Sequence, residues 1–263
     1  MKPNYKNWMP KGMIWGMAAG CAVCSVLFLV FGVSGLLAAS VLRTILKIVF
    51  LALTVVLLLI TVWMVMLYRA FSYAGKRQMS RQIIDGVAEK VVLPEGGCGL
   101  DVGCGSGALT IAVAKRYPQA RMMGIDRWGA EYSSFSKALC EENAKAEGVS
   151  NVTFAQGDAL RLNFADETFD VVCSNYVYHN IPSRDRQEIL METLRVLKKG
   201  GTFAIHDIFS HQMYGDMQMF VQRLRNMGYE RVELIDTTKG MFMTPWEATW
   251  MALGGSAILT GKK

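Results

Sequence analysis

The first 84 residues of this 263-residue chain contain no aspartate or glutamate, although they contain nine lysines and arginines. All 22 acidic residues lie beyond that point, together with the other 19 basic ones, so the formal charge of +6 comes from the amino-terminal third. A basic protein suggests nucleic acid as a partner, but the larger part of this chain is slightly acidic. We therefore expect anionic lipid headgroups, and no nucleic acid, as the partner of the positive charge.

Charge of either sign is absent from two long segments, residues 12–42 and 48–68. About 20 apolar residues cross a bilayer, so both segments are long enough. The sequence predicts a membrane anchor over residues 1–70, with transmembrane helices at about 12–39 and 47–68. A cleaved secretory signal peptide is the alternative, but its apolar core would be far too long and a second span follows directly.

Basic residues border the two segments unevenly. Three lysines precede the first segment and four basic residues follow the second, whereas only Arg43 and Lys47 lie between them. The positive-inside rule therefore predicts a multi-pass protein of the cell membrane with both termini in the cytoplasm. Glycines at four-residue spacing in the first segment suggest a packing face, against the second helix or against another copy in a homodimer; they are Gly12, Gly16 and Gly20.

Cysteine is scarce and scattered: six residues, of which Cys21 and Cys24 form a CxxC pair inside the first apolar segment. At that place two small residues on a lipid-facing helix are a more common role than a redox or metal pair. We expect no disulfide and no metal site. The chain also has no internal repeat and no low-complexity segment.

The segment GLDVGCGSGALTIAVAK, residues 99–115, combines a short apolar run, an acidic residue and three glycines before a helical stretch. This pattern predicts a strand, a tight turn and a helix. Glycine at such a turn lets a ligand approach the backbone and lets the helix pack closely on the strand. The unpaired N–H groups of the first helical turn suit a carboxylate or phosphate, so we expect a nucleotide-like ligand here.

Apolar strand-like runs alternate with helical stretches from residue 96 to residue 263, after a connector over residues 71–95. Alternation of this kind predicts an α/β domain with a mostly parallel sheet. In such a sheet ligands collect at the carboxyl ends of the strands. The predicted strands are 99–102, 122–125, 152–154, 169–174, 202–208, 231–235 and 256–261, and the predicted helices are 108–116, 131–147, 184–197 and 215–227.

Two cofactor classes fit the glycine turn. Gly103, Gly105 and Ala108 match the dinucleotide pattern GxGxxG/A, with Asp126 near the required distance, which is the nicotinamide-dependent oxidoreductase interpretation. Asp101 and Gly107 extend the turn to DxGxGxG, which resembles the first motif of class I S-adenosylmethionine-dependent methyltransferases. That cofactor carries an ammonium and a sulfonium and no phosphate, so an acidic residue beside the turn favours it.

The resemblance covers Gly99–Lys263 and is to the broad group that includes quinone and small-molecule methylases. It implies a Rossmann-like sheet with an antiparallel last strand. It also implies that Asp101 and the three glycines hold the methionine end, Asp126 the ribose and Asp158 the adenine amino group, although either aspartate on its own is also typical of a helix cap or a turn. The cofactor-binding residues it implies are Asp101, Gly103, Cys104, Gly105, Gly107, Asp126, Arg127, Asp158, Ala159 and Asn175.

The stretch Leu194–Ile208 looks like the helix, tight turn and fifth strand of this group, with Gly200 and Gly201 ending the helix. Methyl transfer needs a general base only if the acceptor is protonated. The candidates are His179, His206, Asp207 and His211, of which His206 and Asp207 lie best, at the end of the fifth strand.

Methionine and tryptophan are frequent in the last 50 residues, in part where this fold shapes its acceptor site. Together with the membrane helices, this composition favours an apolar or membrane-dissolved acceptor, such as a quinone, a phospholipid amine or an isoprenoid. The remaining alternative is a membrane-tethered scaffold that binds S-adenosylmethionine without turnover.

Overall fold

The computed structural model describes residues 2–129 and 134–263 of the chain. The chain divides into two compact units. The helical unit comprises residues 7–78, and the sheet unit comprises residues 1–6 together with 79–263. The first residues of the chain therefore group with the sheet unit and not with the helices that follow them.

The helical unit consists of α1, Lys11–Leu27, which continues as π-helical turns through Phe28–Val33, and α2, Val41–Phe71. By length and composition the two helices, 23 and 31 residues long, can each cross a membrane, and few of their apolar side chains are buried. The first helix ends at Val33, earlier than expected, because residues 34–40 form the turn. Gly20 contacts α2 through Leu57, whereas nothing lies within 4 Å of a Cβ built at the other two glycines, Gly12 and Gly16.

The sheet unit has seven strands in the order β3-β2-β1-β4-β5-β7-β6. Strands β1 to β5 are parallel, and β7 is antiparallel to both of its neighbours, as predicted. The strands are β1 Cys98–Val102, β2 Arg121–Asp126, β3 Val152–Gln156, β4 Phe169–Asn175, β5 Leu197–Ile208, β6 Glu230–Asp236 and β7 Ser256–Lys262. The helices are α3 Met79–Lys90, α4 Ala108–Arg116, α5 Lys137–Ala146, α6 Arg186–Arg195, α7 His211–Tyr214, α8 Met217–Asn226 and α9 Pro245–Trp250.

Helix α5 begins later than the sequence predicted. Its first residue is Lys137, after the cap Ser136, whose hydroxyl accepts from the backbone N–H of Leu139 at 3.2 Å. The first part of the predicted helix, residues 131–133, lies outside the described residues. A serine cap of this kind satisfies one of the unpaired N–H groups at the start of a helix, so it sets where the helix begins.

The glycine pair Gly200 and Gly201 does not end a helix, so that expectation is wrong, and both residues lie within β5. Helix α6 already ends at Arg195, and Leu197 is fully buried opposite Phe169 as the first residue of β5. The pairing of β4 with β5 shifts register after Phe169. Gly200, with φ +79°, lies in this irregularity and lets the strand take up the extra residues.

Helix α3 runs along the sheet in the direction opposite to β5. Near its carboxyl end, the Val92 carbonyl accepts from the Thr202 hydroxyl at 2.9 Å, at the start of the paired part of β5. Nearer its beginning, a Cβ built at Gly86 would lie 2.2 Å from the ring of Phe242, which packs on His206 near the end of β5. The first residues of α3 therefore lie toward the carboxyl edge of the sheet, where ligands bind in this fold.

Candidate active site

The turn after β1 is a glycine loop, residues 103–107, held against the end of β2. The backbone N–H groups of Gly103 and Cys104 both donate to the Ile125 carbonyl, at 2.8 and 2.9 Å. All three glycines have positive φ, between 55° and 81°, which L side chains rarely adopt. A Cβ at Gly103 would also lie 2.3 Å from a methyl group of Val177, so this position accepts no side chain.

Asp101, at the base of this loop, is buried, and only one of its two carboxylate oxygens has a hydrogen-bond partner among the described residues. Its Oδ2 accepts from the Thr110 hydroxyl at 2.6 Å, whereas its buried Oδ1 has no hydrogen-bond partner among the described residues. Burial raises the pKa of Asp101 to about 7, and the nearby Asp126 carboxylate raises it further against the lowering effect of Thr110. A cation placed at Oδ1 would satisfy the oxygen and favour its ionised form.

Asp126, the last residue of β2, is brought directly to the glycine loop. Its Oδ2 accepts from the Gly105 N–H at 2.8 Å, and its Oδ1 accepts from the Trp128 N–H at 2.7 Å. The Trp128 indole N–H in turn donates to the Gly105 carbonyl at 3.0 Å. Each carboxylate oxygen has a further lone pair, so Asp126 retains capacity for the two hydroxyls of a ribose.

The expected site residues near the ends of β3 and β4 form their hydrogen bonds with residues outside the glycine loop. Asp158 is exposed, and its Oδ1 accepts from the Leu160 N–H at 2.9 Å, which is the turn-forming role that the sequence left open. Ala159 is half-buried in the same turn, and Arg127 is exposed after β2. Asn175, at the end of β4, is engaged through its Oδ1 with His206 Nδ1 at 2.8 Å.

His206 is a buried histidine with both ring nitrogens occupied. Its Nε2 lies 3.1 Å from the Thr237 hydroxyl, and its Nδ1 faces Asn175. Desolvation lowers the pKa of His206 to about 3, although the charge of Asp207 acts in the opposite direction. His206 is therefore neutral near pH 7, and both of its ring nitrogens are hydrogen-bonded to protein side chains. His211, the first residue of α7, is exposed.

His179 is the histidine that pairs with Asp207. The ring Nδ1 of His179 lies 2.5 Å from Asp207 Oδ1, and the backbone N–H groups of Tyr178 and His179 donate to Oδ2 at 2.7 and 3.3 Å. Asp207 is fully buried, whereas the His179 side chain is 18% exposed. With Nδ1–H donating to Asp207, Nε2 is the basic nitrogen of the ring, which is the arrangement of a carboxylate-oriented general base.

Tyr176 lies between the two histidines in a strained conformation. Its φ is +56°, which a non-glycine residue rarely adopts, and its ring is 4.5 Å from the His206 ring and 5.9 Å from the His179 ring. Its hydroxyl lies 2.9 Å from the Ser256 hydroxyl. Strain of this kind persists where the surrounding structure enforces it, and it concentrates at functional sites.

The side chain of Asn143 also supports the glycine loop. Asn143 of α5 is buried, and its Nδ2 donates to the Ser106 carbonyl at 3.0 Å and to the Asn4 carbonyl at 3.3 Å. The Asn4 N–H donates back to Asn143 Oδ1 at 2.6 Å. Residues 2–6, which we call the N-terminal strap, are thereby connected to the glycine loop through one side chain.

The sequence analysis missed several of these residues. Thr110, Trp128, Asn143 and Val177 have no motif of their own, and only Trp128 carried a signal, its position two residues after the expected ribose-binding acid. The residues present fit S-adenosylmethionine. The partnerless Oδ1 of Asp101 suits the ammonium group, and Asp126 beside the loop suits a ribose.

Comparison with known proteins supports this interpretation of the loop. The family model described as "Methyltransferase domain" matches residues 95–244. A demethylmenaquinone methyltransferase of Geobacillus stearothermophilus is 30% identical over 51% of this chain and 55% of its own length. A 2-phytyl-1,4-naphtoquinone methyltransferase of Thermosynechococcus vestitus is 33% identical over 49% and 54%. The chain thus spans about half the length of these curated relatives.

Among solved structures, the [4+2]-cyclase SpnF has the same fold. It superposes with a TM-score of 0.55 at 23% sequence identity, over 72% of this chain and 83% of its own. The family match covers the glycine loop, both acids beside it and the His179–Asp207 pair, and it favours S-adenosylmethionine over a dinucleotide. This chain therefore belongs to the methyltransferase-domain family, as a class I enzyme whose cofactor is S-adenosylmethionine.

Proposed function

We propose that this protein is a membrane-anchored methyltransferase whose acceptor is a small lipophilic molecule with an ionisable hydroxyl, of the hydroquinone class. The observation that carries the proposal is the contact between Gly103 and Val177. It brings the segment that bears His179 directly against the loop that binds the cofactor. A base and an activated methyl group therefore meet at one edge of the sheet.

The cofactor is held, in this proposal, by the glycine loop with Asp101 at its methionine end and Asp126 at its ribose. When bound, it supplies a methyl group on a sulfonium, which is a good leaving group. The protein then has two tasks, which are to hold the acceptor in line and to exclude water. In this proposal Asp158 holds the adenine amino group, with Arg127 and Ala159 beside it; Arg127 and Asp158 are exposed and Ala159 is half-buried.

His179 removes the proton of the acceptor. Asp207 fixes the ring and stabilises the imidazolium that forms when Nε2 accepts the proton. Deprotonation of a hydroquinone hydroxyl places negative charge on the ring, so a ring carbon or the oxygen becomes the nucleophile. Asp207 is itself too deeply buried to reach a substrate, so it acts through His179.

The acceptor class follows from two lines of support. Both relatives described above are named as methyltransferases of naphthoquinone-type compounds. The surroundings of the two histidines are also largely apolar, since the Tyr176 ring packs on both of them, the Phe242 ring packs on His206, and Val177 lies between this segment and Gly103. An isoprenoid-substituted ring has the matching chemistry, because its tail dissolves in a bilayer while its hydroxyl requires a base.

Two long apolar helices support the membrane anchor of this proposal, and the N-terminal strap is the feature that supports its topology. The strap precedes α1, yet Asn4 contacts Asn143 of α5 in the sheet unit and Tyr5 contacts Glu147, the residue that follows α5. If α1 and α2 span a bilayer, both ends of the chain lie on one side of it. The basic residues at these ends favour the cytoplasmic side.

The test is a transfer assay with the full chain reconstituted in lipid nanodiscs. The protein is given methyl-labelled S-adenosylmethionine and one of two acceptors, a reduced naphthoquinone with an isoprenoid tail or the same ring without it. We expect labelled product from both rings, with a KM at least tenfold lower for the tailed acceptor. The Gly103→Ala variant, which blocks the loop, is the control without transfer.

Two outcomes would contradict the proposal. Binding of the cofactor without label in any acceptor would identify a non-catalytic scaffold. Equal KM values for the two rings would reject the lipophilic acceptor.

A further inference from the structure

A loop beside the active site presents two apolar side chains outward. We call residues 238–246 the edge loop. Trp246 is 73% exposed and Met241 is 45% exposed, whereas Phe242 and Met243 between them are buried. A single exposed apolar side chain is common on protein surfaces. Two large ones on the same loop, with the residues between them buried, are less common.

The edge loop is rigid enough to present these side chains. The Gly240 N–H donates to the Met243 carbonyl at 2.9 Å, and the Phe242 N–H donates to the Thr237 carbonyl at 3.2 Å. Thr244 and Glu247 form a capping box at the start of α9, with proline as the first helical residue. Trp246 therefore projects from a capped helix start and not from a floppy tip.

The position of the edge loop is defined by Phe242. Its ring packs on His206 with the centroids 5.5 Å apart, and it fills the space that Gly86 of α3 leaves. Helix α3 begins at Met79, about 10 Å further along its axis than Gly86. The edge loop thus lies at the carboxyl edge of the sheet, beside Gly86 of α3, and the first residues of α3 extend beyond it in the direction of that edge.

Chain connectivity supplies the second observation. Only residues 72–78 separate α2 from α3, and such a segment spans at most about 28 Å. Residues 69–81 contain four basic side chains and no acidic one, which matches an anionic bilayer surface. Tryptophan prefers the headgroup level of a bilayer, where its ring is buried and its N–H remains hydrated.

We infer that the edge loop is a second membrane contact, which inserts Trp246 and Met241 into the headgroup region of the bilayer on the side of the sheet unit. The inference rests on the proposed membrane anchor. Its consequence is that the carboxyl edge of the sheet, with His179 and the glycine loop, opens toward the lipid. A lipophilic acceptor then reaches the site without crossing water.

The experiment uses the full chain in nanodiscs that contain anionic lipid, with the photocrosslinker p-benzoylphenylalanine at one position at a time. Position 246 is the test. Position 92 is the matched control, since Val92 is 62% exposed at the amino edge of the sheet. Position 59 in the middle of α2, where Leu59 is 64% exposed, reports the anchor itself. Lipid adducts are detected by mass spectrometry.

We expect lipid adducts at positions 59 and 246 and none at 92. Adducts at 59 with none at 246 would overturn this inference alone, and so would a cross-linked dimer at 246, which would assign the loop to a second copy of the chain. Absence of adducts at 59 would reject the anchor of the proposed function. A second variant, Trp246→Ala, is expected to raise KM for the tailed acceptor at least fivefold while kcat for the tail-free ring is unchanged.

Discussion

Asp207 holds His179 through both of its carboxylate oxygens, with Oδ1 2.5 Å from the ring Nδ1 and Oδ2 3.3 Å from the backbone nitrogen. The aspartate belongs to the end of β5 and the histidine to the turn after β4, so the pair is formed by two neighbouring parallel strands. Because Asp207 is fully buried, its charge is compensated inside the protein and acts on a partner that reaches the surface.

The first prediction concerns this pair. His179→Asn is expected to lower kcat by about 100-fold or more, because proton transfer by a positioned base contributes at least that factor. Cofactor affinity should be unchanged, since Asp101 and Asp126 are untouched. The measurements are steady-state transfer to the tailed hydroquinone and the shift of Tm with S-adenosylmethionine.

The matched control is His211→Asn, which removes the same side chain from an exposed position on α7. This variant should leave both kcat and the cofactor-induced shift of Tm unaltered. If His179→Asn retained more than half of kcat, His179 would not be the base. A parallel loss of the cofactor-induced shift in Tm would assign it a structural role.

The second prediction concerns Asp101 and pH. Its pKa is about 7 in the folded chain, against 3.8 without the burial, so the folded state binds this proton more tightly. Asp101 therefore makes stability fall as pH rises from about 4 to about 7, and the loss persists above pH 7. Asp101→Asn removes this dependence. The variant should gain Tm relative to the native chain on going from pH 5 to pH 8, in thermal scans without ligand.

The same variant should bind the cofactor less tightly. In the native chain, affinity is expected to rise between pH 6 and pH 7.5, because the ionised carboxylate pairs with the ammonium of the ligand. Asp101→Asn should bind at least tenfold more weakly, with a flat profile over this range, in isothermal titration calorimetry. A native profile that is equally flat would mean that Asp101 does not face the ammonium.

The third prediction separates close contact from backbone strain. Gly103 and Gly148 both have positive φ, +75° and +68°, but a Cβ at Gly103 meets Val177 at 2.3 Å whereas nothing lies within 4 Å of one at Gly148. Gly148→Ala should cost about 1 kcal/mol of unfolding free energy, from strain alone. Gly103→Ala should cost clearly more and should abolish cofactor binding. Equal costs with intact binding would show that the loop and Val177 are not in contact in solution.

The succession of strands and helices along the chain and the glycine loop were accessible from sequence because each is a local pattern. Residues 99–115 run from an apolar stretch through glycines to a helical stretch, and the two acids lie in β1 and at the end of β2, next to the turns that follow those strands. Burial patterns of period two and 3.6 then give the α/β class. The wrong detail was Gly200, since the end of α6 is decided by burial of Leu197 against Phe169, a contact between distant residues.

The proposed base, His179, could not be chosen from sequence for the same reason. His206 lies next to Asp207 in the chain, but neighbouring residues of a strand point to opposite faces. His206 therefore points to Asn175 and Thr237, whereas Asp207 points to a histidine 28 residues away. Asn143 and Trp128 support the loop through contacts to backbone carbonyls, which leave no pattern in a single sequence.

The last prediction concerns the N-terminal strap. Asn143→Ala removes the donors to the Ser106 and Asn4 carbonyls and the acceptor for the Asn4 N–H, and leaving such groups unpaired costs about 1–3 kcal/mol. We expect the strap to detach, so that trypsin cuts after Lys6 at least tenfold faster. The glycine loop should loosen as well, and the cofactor Kd should rise about threefold to tenfold.

A loss of stability alone would also speed proteolysis, so the control is Asn151→Ala. The Asn151 amide donates to three backbone carbonyls, those of Ala114, Tyr117 and Ala120, and none of these bonds involves the strap or the glycine loop. Its removal should lower Tm by a comparable amount while leaving cleavage after Lys6 and the cofactor Kd unchanged. If the two variants behaved alike in all three measurements, the connection from strap to loop through Asn143 would carry no coupling.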